Sequence, residues 1–109
     1  MRIITRKHLN RAAEQYPDAA KEIAVWCKVV QSARWRNFVE VRQVFNSADA
    51  VNHRYVIFNI RHNRYRLVTI IHYSRETDDR ITEGHLYIRA FLTHQEYNDP
   101  ENWDKGVPK

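Results

Sequence analysis

The sequence predicts an α+β fold, with a helical hairpin in its N-terminal third and a small antiparallel β-sheet in its second half. Apolar residues recur at helical spacing up to residue 30, whereas after residue 54 they alternate with a period of two, which is typical of strands. The chain has 43% hydrophobic residues with 2 Gly and 3 Pro among its 109 residues. This composition predicts one folded domain over residues 1–109.

The N-terminal third is predicted to be a short edge strand followed by two helices. Residues 2–5 form the strand, and Thr5 is the expected N-cap of the first helix. The apolar positions of that helix are Leu9, Ala12, Ala13 and Tyr16. Pro17 separates it from the second helix, whose stripe is Ala19, Ala20, Ile23, Trp26, Cys27 and Val30. Because Cys27 lies on this stripe, it is interpreted as a buried small hydrophobe and not as a nucleophile.

A third, short helix is predicted after Asn37, because Glu40 follows three residues later as in a capping box. Its inward residues would be Phe38, Val41 and Phe45. The polar stretch 46–54 is predicted to be a loop.

Three β-rich runs follow, at residues 55–61, 65–73 and 85–92. The first two are predicted to form an antiparallel hairpin turning around His62 and Asn63, since Asn tolerates a left-handed backbone. The charged segment 74–84 is predicted to protrude as a turn. Thr93 and Glu96 fit the capping box of a short helical turn that Pro100 ends, and residues 99–109 are predicted to be a loose tail unless Trp103 anchors it.

The net charge of +5 is concentrated in one segment. Residues 34–66 contain seven arginines and two acids, so this segment alone accounts for the net charge. The aromatic residues interleaved with these arginines are Trp35, Phe38, Tyr55 and Tyr65. Because a planar guanidinium suits phosphate, the segment is either a solvated face or a surface that binds a polyanion such as nucleic acid.

Several classes of function lack the residues they need. One cysteine cannot form an internal disulfide, six histidines show no close-spaced ligand pair, and two glycines do not form a phosphate-binding loop. We therefore expect no metal and no cofactor. The absence of a long apolar run predicts a soluble protein without a membrane partner, and the cysteine usage favours the cytoplasm.

Arg66 and Arg89 are predicted to lie among apolar neighbours on half-buried strands. Alternation places on one face of the second run Arg66, Val68, Ile70 and His72. On the third run, one face holds His85, Tyr87, Arg89 and Phe91. Each guanidinium then needs either an ion pair with Glu40, Asp49 or Glu96, or an anionic ligand. Arg, His and Tyr side chains can also supply the charge stabilisation and proton transfer of metal-free RNA cleavage.

Several runs of the chain match one known family. They are residues 58–67 (FNIRHNRYRL), Tyr87-Ile88-Arg89, and residues 93–98 (THQEYN). Weaker matches are Arg2-Ile3-Ile4, Tyr16-Pro17 and Trp35-Arg36-Asn37-Phe38. Together they resemble the HigB toxins of the RelE-like superfamily of type II toxin–antitoxin systems, over nearly the whole chain.

The resemblance implies two N-terminal helices packed on an antiparallel sheet. It also implies an mRNA interferase that cuts messages on the ribosome and arrests growth, with a HigA-like helix-turn-helix antitoxin as partner. Cleavage without a metal would leave 2′,3′-cyclic phosphate and 5′-hydroxyl ends. Carried over to this sequence, the implied catalytic residues are Arg66, which would stabilise phosphate charge, and His94 and Tyr97, either of which would be acid or base.

Asn59 and Arg89 would position RNA. Structural roles remain open for Tyr97, which could cover the sheet edge, and for His94, which could cap a helix. The family usually has two glycines where Arg61 and His62 stand. With Arg64, these residues would add contacts to ribosomal RNA, or the altered turn would disturb the site.

The alternative function is therefore a non-catalytic or degenerate RNA- or ribosome-binding module regulated by a partner protein. It explains the basic segment and the missing glycines equally well.

Overall fold

The computed structural model describes residues 1–104. Its elements are, in chain order, β1 (Arg2–Ile4), α1 (Lys7–Gln15), α2 (Pro17–Ser32), α3 (Phe38–Val44), β2 (Asp49–Val51), β3 (Tyr55–Ile60), β4 (Tyr65–His72), β5 (Arg75–Glu76), β6 (Ile81–Thr82), β7 (His85–Thr93), α4 (His94–Tyr97) and a 3₁₀ turn (Pro100–Asn102). The α+β fold class is confirmed. Within these residues, no helix is both long and apolar enough to cross a bilayer.

The two N-terminal helices bury the predicted apolar stripes, and the buried stripe residues are Leu9, Ala12, Ala19, Ile23, Trp26, Cys27 and Val30. The predicted cap at Thr5 is wrong, because Arg6 occupies the N-cap position and no side chain caps α1. Thr5 has a φ of 66°, and its hydroxyl donates 3.0 Å to the carbonyl of Ile88. The hydroxyl therefore joins the end of β1 to β7 and does not begin the helix.

Asn37 caps α3 as predicted, since its Oδ1 accepts a hydrogen bond of 3.0 Å from the backbone nitrogen of Glu40. In a capping box, the Glu40 carboxylate would accept a hydrogen bond from the Asn37 backbone nitrogen. Here it accepts hydrogen bonds from Arg36 instead. The Glu40 carboxylate accepts 2.7 Å from the Arg36 backbone nitrogen and 2.9 Å from its guanidinium. Val41 is buried, and Phe38 and Phe45 pack against the core.

A five-stranded sheet has the order β1-β7-β4-β3-β2. All its pairs are antiparallel except β1 with β7, which is parallel. The loop predicted at 46–54 contains β2, in which Asp49 lies opposite Ile57 and Val51 opposite Tyr55. Backbone pairing with β3 forms this strand, which explains why its side-chain pattern did not predict it. The charged segment 74–84 folds as an exposed two-stranded hairpin, β5 with β6.

Both faces of the sheet pack against other parts of the chain. The inner face packs against the helices, where Phe58 lies with its ring centroid 5.3 Å from that of Trp26. The outer face has a second, smaller cluster centred on Tyr55, Ile57, Val68 and Trp103. Burial on both faces explains why the residues of β3 are nearly all buried.

A register shift between β4 and β7 changes the predicted faces. Thr69 lies opposite Ile88 and Val68 opposite Ala90, so Arg89 has no opposite residue. Phe91 packs against the inner cluster, whereas the guanidinium of Arg89 donates 3.1 Å to the carbonyl of Trp103 on the outer face. The prediction that Arg89 and Phe91 share a face is therefore wrong, because strict alternation does not hold across a bulge.

The C-terminal segment is packed through Asp104. Trp103 is 4% exposed, and its indole nitrogen donates 2.9 Å to the carbonyl of Tyr97. Asn52, in the turn between β2 and β3, donates 2.9 Å to the carboxylate of Asp104. The predicted loose tail is therefore anchored by Trp103 over residues 99–104, and its residues 105–109 lie outside the described part.

Candidate active site

Arg66 lies on the outer face of β4, directly opposite Asn59 of β3 and Leu92 of β7. Its guanidinium donates 3.1 Å to the carbonyl of Asn63 and lies 5.7 Å from the centroid of the Tyr97 ring. The ion pairs among residues 1–104 are Arg36–Glu40 and Arg64–Asp18, so Arg66 has no carboxylate partner there. A guanidinium has five N–H donors, which leaves several of them for an anion.

Tyr97 lies at the end of α4, a helix that begins with the predicted capping box. Thr93 accepts a hydrogen bond from the Glu96 backbone nitrogen, and the Glu96 carboxylate accepts one from the Thr93 nitrogen. The Tyr97 ring stacks on Trp103 with centroids 5.1 Å apart and an interplanar angle of 11°. These contacts fix the ring beneath the Arg66 guanidinium.

Burial raises the pKa of the Tyr97 phenol, and the nearby Asp49 carboxylate raises it further, whereas Arg66 acts in the opposite direction. The phenol therefore keeps its proton at neutral pH. In this state it can donate a hydrogen bond or a proton to an oxyanion, which favours Tyr97 as an acid rather than as a base.

His94 is the first residue of α4, and its side chain is exposed. Its backbone nitrogen donates 3.0 Å to the carbonyl of Arg64, which joins α4 to the β3–β4 hairpin. Thr93, and not His94, is the N-cap, so the capping role considered for His94 is wrong. Because His94 and Tyr97 are three residues apart on one helix, their side chains lie on the same side of it.

The β3–β4 hairpin turns through Arg61 and His62, whose φ angles are 54° and 59°. The sequence predicts a left-handed residue at Asn63. The structure has this conformation at Arg61 and His62 instead, because the turn begins directly after Ile60. The Arg61 backbone nitrogen donates 2.9 Å to the Glu22 carboxylate of α2, while its side chain is exposed. Beside the turn is a surface hollow of ≈480 Å³, whose lining residues include Asn59, His62 and Asn63.

Arg64 has a structural partner. Its guanidinium donates 2.9 Å to the Asp18 carboxylate at the start of α2, and the Tyr65 hydroxyl donates 2.9 Å to the same group. These hydrogen bonds hold the pKa of Asp18 below its usual range. Arg64 thus connects the hairpin to the helices, whereas Tyr65 is 5% exposed and belongs to the inner cluster.

The ion pairs considered for Arg66 and Arg89 do not form among residues 1–104. Glu40 pairs with Arg36, and Glu96 is part of the α4 cap. Asp49 lies opposite Ile57 in β2 and acts on Tyr97. Both arginines instead donate to backbone carbonyls, which leaves their positive charges unneutralised.

Comparisons with known proteins identify the family of the chain. The family model described as HigB_toxin, RelE-like toxic component of a toxin-antitoxin system, matches residues 19–100. The chain belongs to the HigB toxin family. Its curated relatives include the mRNA interferase toxin HigB of Escherichia coli K12 and the mRNA interferase HigB of Shigella flexneri, each 27% identical over 100 residues. Each alignment covers 90% of this chain and 88% of the relative. The chain is thus the toxin of a toxin–antitoxin system.

Several residues that shape this candidate site were missed by sequence reasoning. Asn63 holds the Arg66 guanidinium through its carbonyl, Trp103 supports the Tyr97 ring, and Asp49 lies close enough to act on the phenol. The aromatic character of Trp103 was a visible signal, but its position under Tyr97 depends on how residues 99–104 fold. The role of Asn63 had no signal, because a backbone carbonyl is common to all residues.

The HigB fold therefore brings Arg66, Tyr97 and Asn59 together at one end of the outer face. Arg61 and His62 lie on the adjacent turn, and His94 begins the helix that bears Tyr97. Arg89 lies farther along the sheet, beside Trp103. The arrangement presents an anion-binding group next to a protonated phenol, which suits stabilisation of phosphoryl oxygens and protonation of a leaving oxygen.

Proposed function

We propose that this toxin is an endoribonuclease that cleaves mRNA. The observation that supports this function best is the Arg66 guanidinium, which has no carboxylate among residues 1–104 to neutralise it and lies over the protonated Tyr97 ring. Curated relatives are named mRNA interferases. A phosphodiester provides the anion that Arg66 lacks, and its leaving oxygen provides an acceptor for the Tyr97 proton.

In the proposed reaction, a ribose 2′-oxygen attacks the adjacent phosphorus and transfers its proton to a base. The bond from phosphorus to the 5′-oxygen breaks, and that oxygen receives a proton. Arg66 stabilises the charge on the equatorial oxygens, Tyr97 donates the proton, and His94 accepts the proton of the 2′-hydroxyl. The products are a 2′,3′-cyclic phosphate and a 5′-hydroxyl, and the step needs no metal ion.

We further propose that cleavage takes place on translated messages in the cytoplasm and arrests growth. The exposed Arg61 and His62 at the hairpin tip would contact ribosomal RNA, and Asn59 and Arg89 would position the message. Arg64 would add to these contacts only if it left Asp18. A HigA-like helix-turn-helix antitoxin would block the activity.

The decisive experiment is induction of the Arg66→Ala variant in bacteria, followed by mapping of message 5′ ends. We expect the wild type to arrest growth and create new 5′ ends within coding regions. Loss of a group that stabilises the transition state typically lowers the rate about 10²- to 10³-fold, so Arg66→Ala should remove both effects. Arg11→Ala is the matched control, because Arg11 is an exposed arginine on α1 that should be dispensable. Equal end patterns for wild type and Arg66→Ala would refute the proposal.

The chemistry is tested with Tyr97→Phe, His94→Ala and the product ends. Tyr97→Phe retains the ring on Trp103 but removes the proton, so cleavage should slow while the melting temperature is unchanged. Cleavage should continue in chelator and leave ends that polynucleotide kinase can phosphorylate directly. Ends that already bear a 5′-phosphate would contradict the mechanism.

One observation favours the alternative of a non-catalytic RNA- or ribosome-binding module. The turn beside the site contains Arg61 and His62 in a left-handed backbone, and the exposed Arg61 side chain adds a positive charge that suits RNA binding without chemistry. In that case the wild type would bind ribosomes or RNA while creating no new message ends.

A further inference from the structure

The outer face of the sheet is covered over only part of its area. Residues 94–104 cover the half formed by the outer cluster, with Trp103 against Tyr55. At the opposite end, beyond Arg89, these described residues provide no cover. There four outer-face side chains are exposed, and we call them the distal patch: Arg2, His72, His85 and Tyr87.

Strand pairing assembles the distal patch from three strands. His85 of β7 lies directly opposite His72 of β4 and opposite Arg2 of β1. The Tyr87 ring meets the His72 imidazole edge to face, with centroids 5.3 Å apart. Tyr87 is 37% exposed, so part of its ring is open to solvent. The patch is therefore a preassembled aromatic and basic surface and not a set of scattered side chains.

A hollow of ≈530 Å³ adjoins the patch, lined in part by His72, His85 and Arg75. Glu83, two residues before β7, interacts with the amino group of Met1. No ion pair of residues 1–104 involves a residue of the patch. Positive and neutral donors thus face solvent beside an exposed ring.

We propose that the distal patch binds a single-stranded segment of the RNA substrate, several nucleotides away from the bond cleaved at Arg66. A base stacks on Tyr87, while Arg2 and the two histidines contact phosphates. His72 is six positions after Arg66 on β4, which at about 3.3 Å per residue is about 20 Å. Arg89 lies between the two ends and extends the positive charge along this path. The inference rests on the proposed function, since it concerns the same substrate.

RNA fits this surface better than a protein partner does. Tyr87 lies opposite the half-buried Ile4 and Ile70. This apolar floor is small compared with the apolar centre that protein interfaces commonly have, and the other exposed side chains of the patch are Arg2, His72 and His85. Base stacking on an exposed aromatic ring beside a positive groove is the usual way of binding single strands without reading their sequence.

The test measures binding of a fluorescent 12-nucleotide RNA with 2′-O-methyl riboses, which cannot be cleaved because the nucleophile is blocked. Tyr87→Ala should weaken binding about tenfold, as expected for the loss of one base–aromatic stack. Tyr87→Phe retains the ring and should bind as the wild type does. Arg2→Gln should reduce the salt dependence of log K by about 0.7, the value for one phosphate contact on a single strand, and Arg11→Gln should leave it unchanged.

Melting curves establish that each variant is folded before binding is compared. A folded Tyr87→Ala variant that binds the 12-mer as tightly as wild type would overturn the inference, as would a wild type that does not bind it. Normal RNA binding by Tyr87→Ala with escape from the antitoxin would assign the patch to the protein partner instead. Message cleavage in cells is measured separately, so failure of the patch and failure of the nuclease are distinguishable.

Discussion

The two faces of the sheet differ in the contacts that their side chains make within the protein. On the inner face, Phe58 is 1% exposed and contacts the rings of Trp26, Trp35 and Phe45. On the outer face, a smaller cluster is bordered by Arg66, whose charge no carboxylate of residues 1–104 neutralises. The inner face therefore provides stability through apolar burial, while the outer face holds polar groups that the fold itself does not require.

This difference separates two kinds of mutation. Removing an inner-face ring should destabilise the protein without a specific effect on cleavage. Removing a polar group of the candidate site on the outer face should lower the cleavage rate without unfolding the protein. The variants that follow test this separation, beginning with the one expected to change the free energy of unfolding most.

Phe58→Ala should have the largest effect on stability. It removes a ring that is packed on several sides, and such substitutions typically cost about 3–5 kcal/mol of unfolding free energy. Urea denaturation measures the loss. Under conditions in which the variant is folded, its cleavage rate per folded molecule should equal that of wild type. A folded Phe58→Ala variant without activity would break the distinction between the faces.

Trp103→Ala should cost less stability, about 3 kcal/mol, because the outer cluster has fewer neighbours around each ring. Unlike Phe58→Ala, it should also lower the cleavage rate of the folded protein, since the Tyr97 ring loses its stacking partner. Trp103→Phe is the matched control, because it retains a ring under Tyr97. If Trp103→Ala retained full activity, Trp103 would only cover the sheet and would not position Tyr97.

The sequence predicts those elements whose apolar residues repeat at a fixed spacing. The two long helices are predicted because each buries one apolar face, and the three long strands are predicted by their runs of apolar and β-branched residues. The Thr93 cap is predicted because its contacts lie within four residues of the chain. β2 is not predicted, because it is formed by backbone hydrogen bonds to β3. The separation of Arg89 and Phe91 onto different faces is not predicted either, because the bulge exists only once β4 and β7 are paired.

The site could be predicted only in part, for a similar reason. Chemistry and resemblance select Arg66 and Tyr97, but the contact between them depends on three separate segments of the chain. The hairpin supplies the Asn63 carbonyl, α4 supplies Tyr97, and residues 99–104 place Trp103 beneath it. Convergence of distant segments is a property of the folded chain and not of any local pattern.

Arg61→Gly should stabilise the protein by about 1 kcal/mol, since a left-handed backbone is unfavourable for residues with a Cβ. The hydrogen bond from this backbone nitrogen to Glu22 is retained. RNA or ribosome binding should weaken, which would show that an exposed charge is kept at a cost in stability. Arg11→Gly in the middle of α1 is the contrasting control and should lose about 1 kcal/mol. A stabilised Arg61→Gly toxin with unchanged ribosome binding would remove Arg61 from the proposed RNA contacts.

The smallest effect is expected for Asp18→Asn, which tests the connection between the hairpin and α2. Hydrogen bonds from Arg64 and Tyr65 lower the pKa of Asp18 in the folded protein, so the charged carboxylate favours folding. That contribution is complete above the unfolded value of about 3.9 and is lost as the pH falls through the lower folded value.

The melting temperature of wild type should therefore fall more steeply below pH 4 than that of Asp18→Asn. Glu14→Gln is the matched control, because Glu14 is exposed on α1 and belongs to neither ion pair of residues 1–104. Parallel melting curves for wild type and Asp18→Asn would mean that Arg64 is not held by Asp18 in solution. Arg64 would then be available to RNA beside Arg61, and the basic surface at the hairpin would be larger than the structure indicates.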